Sequence, residues 1–116
     1  MKVRQIVNLL KATVITGDEF LDGLDIDRCF VADLMSDVLA RSHNFGILIT
    51  GLANIQAVRT ADIADIKAVC LVRGKRPEQA AVALAKEKEI PFFVTKYTMF
   101  EACGILYAEG LKPVEE

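Results

Sequence analysis

Three stretches, "ILIT" (47–50), "AVCLV" (68–72) and "PFFVT" (91–95), are apolar runs without the polar alternation of a strand that keeps one face in water. Neighbouring side chains on a strand point to opposite sides of the sheet, so a strand that is apolar throughout demands cover on both faces. That demand is met where helices lie on both sides of a mostly parallel sheet. The intervening segments are helical in spacing. The chain therefore reads as α/β, a layered domain with a mostly parallel sheet of about four to five strands flanked by helices.

The boundaries follow from local chemistry. Val3, Ile6, Val7 and Leu10 form the i, i+3, i+4, i+7 stripe of a helix with one buried face. A short strand over Thr13 to Ile15 and a turn at Gly17-Asp18 follow. A strand is expected near Cys29 to Ala32, then a helix from about Asp37 to Ser42 with Ser36 as N-cap, stopped by His43-Asn44 and Gly46. After the strand at 47–50 the spacing predicts a helix from Ile55 to Ile63 capped by Asn54. A helix from Pro77 to about Lys88 follows the second apolar run, with Ala80, Ala81, Leu84 and Ala85 toward the sheet. A helix from Met99 to Ala108 opens on the capping box of Thr98 and Glu101. Gly110 stands where that helix needs a left-handed residue, Pro113 ends it, and the last residues read as frayed.

Composition narrows the function. At 116 residues the chain reads as a single domain, 1–116, with no repeat or linker. The apolar fraction of 53% is high for a domain that buries only roughly 65% of its unfolded surface, so part of it is expected to be buried in a homodimer. A formal charge of −2, with acids and bases interleaved, gives no basic face for nucleic acid. No run approaches the roughly 20 apolar residues of a membrane span, and the first residues lack a signal-like apolar region, so a cytoplasmic location is expected. Cys29, Cys70 and Cys103 lie far apart with no CxxC and with one histidine, His43, in the chain. They read as reduced, buried small hydrophobes, and their spacing neither shows nor excludes convergence. No metal site or cofactor is implied.

In a parallel sheet the loops after the strands' C-terminal ends collect on one edge, which ligands prefer. Here those loops are 33–36, 50–54, 73–76 and 95–98. They bring Arg73, Gly74, Lys75, Arg76, Thr50, Asn54, Thr95 and Lys96 to that edge. Cations ahead of a helix start add to its positive potential, which suits an anion; a solvated loop balanced by Glu78 is the plainer reading. The Gly-Lys pair is not a phosphate loop. Val69 stands where its first glycine belongs and Arg76 where its hydroxyl belongs. Asp33 and Asp37 read as caps and turn formers, Tyr97 and Tyr107 as boundary residues with buried rings, and no nucleophile has an adjacent base. The chain is not expected to be an enzyme.

The run "VADLMSDVLARSHNFGILIT", then "NIQAV", then "VRGKRPEQAAVALAKEKEIPFFVTKYTMFEACGILYAEGL" resembles the DRTGG domain in its short free-standing form. The likeness extends from about Met1 to Leu111. Related domains sit beside CBS domains in regulated pyrophosphatases, at the front of phosphotransacetylase-like proteins and, more distantly, in the N-terminal domain of HPr kinase. The resemblance implies a non-catalytic regulatory or ligand-sensing module that dimerises and binds a small anionic metabolite or nucleotide. Free-standing members near hydrogenase genes imply the other reading, an assembly accessory docked on an enzyme partner without a small-molecule ligand. The naming motif itself is altered. Gly51-Leu52-Ala53-Asn54 replaces Gly-Asp-Arg, and Arg73-Gly74-Lys75 replaces Thr-Gly-Gly, which removes an acid and a base and adds cations.

Overall fold

The computed structural model describes residues 1–41 and 46–114. In chain order the elements are α1 (Val3–Leu9), β1 (Thr13–Thr16), a 3-10 turn (Asp18–Phe20), β2 (Arg28–Val31), α2 (Met35–Arg41) and β3 (Ile47–Thr50). Then come α3 (Ile55–Ile63), β4 (Ala68–Leu71), α4 (Gln79–Glu87), β5 (Phe92–Val94), α5 (Met99–Ala108) and β6 (Lys112–Pro113). The six strands form one sheet in the order β1-β5-β4-β3-β2-β6. All pairs are parallel except β1 with β5.

The apolar runs occupy the middle of this sheet, where every residue of β3 and β4 is buried. Alternate side chains feed two separate cores. Ile47, Ile49, Cys70 and Phe93 pack with Val3 and Ile6 of α1 and with Ala102 and Leu106 of α5. Leu48, Val69, Leu71 and Phe92 pack with Val38 of α2, Val58 and Ala61 of α3, and Ala81 and Ala85 of α4. The result is a three-layer α/β/α arrangement, as the unbroken runs require.

Two elements depart from expectation in number or direction. The sheet has six strands, because Lys112 and Pro113 pair with Arg28 and Cys29 where the sequence suggested only a helix stop and a frayed end. Strand β1 runs antiparallel along the outer side of β5. Helices α2 and α4 also shift. Ser36 lies inside α2, whose first residue is Met35, so it is not the N-cap; the expected stop at His43-Asn44 lies outside the described residues. Helix α4 begins at Gln79, because the Glu78 N–H donates to the Ala53 carbonyl at 2.9 Å and leaves Pro77 outside the helix. Ala80 consequently faces solvent, while Ala81 and Ala85 face the sheet.

The caps of α3 and α5 stand where they were expected. The Asn54 side chain accepts from the Gln56 N–H at 3.0 Å. At α5 the Thr98 hydroxyl accepts from the Glu101 N–H at 3.2 Å, and the Glu101 carboxylate accepts from the Thr98 N–H at 3.0 Å. That second bond holds the Glu101 carboxyl below the usual carboxylate range. Its contribution is therefore complete above the unfolded carboxyl's range and is lost as pH falls through the lower folded value. Thr98→Ala is expected to lower stability by about 1 kcal/mol, read as a lower urea midpoint with an unchanged slope.

Candidate functional site

The four parallel strands β2 to β5 end on one edge, and their following loops are tied to one another. After β4 the chain turns through two consecutive left-handed residues, Arg73 and Gly74, each with φ of 62°. This conformation suits Gly74 and costs Arg73, whose Cβ crowds its own backbone there. The turn is held from the side. The Arg73 N–H donates to the Tyr97 carbonyl and the Gly74 N–H to the Thr95 carbonyl, both at 2.8 Å. These amides are consequently committed to the neighbouring loop, and an anion at this edge meets side-chain charge and not these two backbone donors.

A second set of ties joins the β2, β3 and β4 loops. The Lys75 ammonium donates to the Gly51 carbonyl at 2.6 Å. Asp33 accepts from the Gly51 N–H at 2.7 Å and from the Thr50 hydroxyl at 3.2 Å, and that hydroxyl accepts in turn from the Leu52 N–H at 3.1 Å. Asp33 is thus a clamp between two strand ends, where the sequence suggested a local turn former. A Cβ built on buried Gly51 would stand 3.3 Å from Asp33 Oδ1 and 3.4 Å from an Arg73 guanidinium nitrogen, so acid and base close around this backbone.

The predicted site residues therefore separate into frame and face. Thr50 and Thr95 are buried, and the Thr95 hydroxyl donates to the Leu10 carbonyl at 2.7 Å while accepting from the Tyr97 N–H at 3.2 Å. Asn54 is occupied as the α3 cap. Arg73, Arg76 and Lys96 are exposed and have no ion-pair partner among the described residues; Lys75 is half-buried.

Beside Lys96 lies a cavity of about 200 Å³ lined by Leu10, Lys11, Lys96 and Tyr97. Lys11, itself left-handed with φ of 50°, was not anticipated, because it reaches this edge through the α1–β1 connection and not through a strand-end loop. A larger cavity, about 430 Å³, opens on the opposite edge among Asp27, Arg28, Glu109 and Lys112. Asp27 and Glu109 offset Arg28 and Lys112 there, which leaves the Met1 ammonium, itself bonded to the Ile26 carbonyl, as the one positive charge in excess.

No described helix is long and apolar enough to cross a membrane. No curated protein matches the sequence. Among solved structures, the chain is similar to the CBS and DRTGG domains of the regulatory region of Clostridium perfringens pyrophosphatase, complexed with its activator diadenosine tetraphosphate. The TM-score is 0.74 at 17% sequence identity, over 96% of this chain and 47% of that one. The chain thus spans less than half of that structure, and the likeness is one of fold. The DRTGG domain family profile matches residues 5–108. That match takes in every strand from β1 to β5 and the edge where their loops meet, and the chain belongs to the DRTGG domain family.

Proposed function

We propose that the chain is a non-catalytic regulatory module that senses a small anionic metabolite or nucleotide at the strand C-terminal edge. The observation that carries this reading is the set of cations Arg73, Arg76 and Lys96, exposed and unpaired among the described residues, on loops whose backbones are cross-tied. Unpaired cations on a rigid frame favour an anion because little ordering is required on binding. In this reading Arg73, Lys75, Arg76 and Lys96 supply charge, Gly74 supplies the turn, and Thr50, Asn54 and Thr95 hold the loops in place. Tyr97 and Lys11 extend the site toward a ring-bearing ligand, the aromatic ring offering a stacking surface in a cavity that two lysines also line. The pyrophosphatase region of like fold, crystallised with diadenosine tetraphosphate, supports a nucleotide as the first ligand to try.

The test is a thermal-shift panel of adenine and guanine nucleotides, acyl phosphates and other anionic metabolites. A ligand at about 100 times its dissociation constant adds roughly 2.7 kcal/mol of stability, and at least one compound is expected to do so. No shift with any compound would contradict the reading and favour the ligand-free assembly accessory, docked on an enzyme partner.

The module is further proposed to act as a homodimer. Helix α5 exposes Phe100 at 87% and Tyr107 at 73%, seven residues apart on one face, so the Tyr107 ring is not buried within the chain as the sequence suggested. Between them a Cβ on Gly104 would meet nothing within 4 Å, which leaves room for a second α5 to approach closely. Light scattering is expected to give twice the 12.8 kDa chain mass at micromolar concentration. Phe100→Asp is expected to return it to the single-chain value, and a single-chain mass for the unaltered protein would refute the dimer.

A further inference from the structure

The three cysteines, scattered in sequence, all lie on the α1/α5 side of the sheet, and two of them share a cavity. Cys29 on β2 and Cys103 on α5 line one cavity of about 120 Å³, whose other walls are Val31, Leu106, Tyr107, Leu111, Lys112 and Pro113. Cys70, fully buried, packs in the core on the same side of the sheet. All three are free thiols. The cavity adjoins the step from β2 to β6, where the strand order turns back: the chain proceeds from β2 through β3 and β4 to β5 on one side, and β6 arrives on the other. Open α/β sheets leave room for ligands at such steps.

We propose that Cys29 and Cys103 form a two-thiolate site for a soft monovalent cation of the Cu(I) class, held between β2, β6 and α5. The donor set selects the ion. Among the described residues no carboxylate or imidazole lines the cavity, so hard cations find no ligand there, whereas thiolates favour soft ions. Zn(II) generally requires four ligands, and two sulfurs with apolar walls do not complete its shell. Charge closes as well. Two thiols give up their protons to solvent, one monovalent ion binds both sulfurs, and the net single negative charge lies in a cavity that Lys112 also lines; no electron is transferred. Burial pushes the Cys29 and Cys103 thiols up, so both are protonated before the ion arrives and it must displace those protons. The site shares no residue with the strand-end loops, so it stands or falls independently of the anion site.

The test is an anaerobic titration of the intact chain with Cu(I) in competition with bicinchoninate. One equivalent per chain is expected, with a near-ultraviolet thiolate absorption. Cys29→Ser and Cys103→Ser should each weaken binding by more than roughly 100-fold, beyond what changes outside a metal's own ligands cost. Cys70→Ala should retain it, and Zn(II) should not compete. Binding that survives both serine variants, no binding by the unaltered chain, or equal affinity for Zn(II) would overturn the proposal. Should a serine variant fail to fold, alkylation of the unaltered protein decides: Cu(I) is expected to protect Cys103 from iodoacetamide, and undiminished labelling would overturn the site.

Discussion

Phe92→Ala and Phe93→Ala are each expected to cost about 3–5 kcal/mol of folding stability, the range for deleting a buried aromatic ring. The two residues are neighbours on β5 and point to opposite sides of the sheet. Both are fully buried, Phe92 in the core under α3 and α4 and Phe93 in the core under α1 and α5. Equal and large effects at adjacent positions are the energetic signature of a strand covered on both faces. A sheet covered on one face would give a large effect at one position and little at the other. Against a total of about 5–15 kcal/mol, either variant should be near its unfolding midpoint in mild urea. A loss under about 1 kcal/mol at either residue would contradict the three-layer arrangement.

Arg73→Ala combined with Lys75→Ala is expected to abolish the stabilisation by whichever anionic compound shifts the unaltered protein. Two charges leave the edge, and a factor of ten in affinity is lost for each 1.4 kcal/mol of charge-assisted binding. The pair is also expected to cost stability without ligand. Lys75→Ala leaves the carbonyl of buried Gly51 without its charged donor, a bond worth about 1.5–3 kcal/mol. Arg73→Ala keeps a non-glycine residue at positive φ and so relieves no strain. The comparison therefore rests on the increment added by ligand and not on the absolute melting temperature. An increment equal to that of the unaltered chain would remove these residues from the site.

Where short-range chemistry decides an element, the sequence was legible. Helices α3 and α5 run over the expected residues because Asn54 and the Thr98–Glu101 pair determine their starts by bonds spanning two or three positions. The buried strands were legible because a sheet sealed on both faces leaves no position for a polar residue. Elements decided by distant partners were not. Strand β6 is two residues long and exists because Arg28 and Cys29 offer it an edge. The direction of β1 carries no mark in "TVIT". The start of α4 moved because the Ala53 carbonyl captures the Glu78 N–H.

The site divides in the same way. That Arg73, Lys75, Arg76 and Lys96 gather at one edge followed from their places after parallel strands. That the Arg73 and Gly74 amides are already bonded, that Thr95 faces the Leu10 carbonyl, and that Asp33 clamps Gly51 depend on contacts across the fold. Nothing in the spacing of Cys29, Cys70 and Cys103 places them on one side of the sheet; β2, β4 and α5 do so only after the strand order is established.

The most direct test of the anion site is a ¹⁵N–¹H titration of the labelled protein with the compound giving the largest thermal shift. Shifts confined to residues 73–76 and 95–97, with Lys11 and the 50–54 loop following, are the predicted result. Shifts centred instead on Arg28, Gly110 and Lys112 at the opposite edge would show that the cations of the strand-end loops are not where the ligand binds.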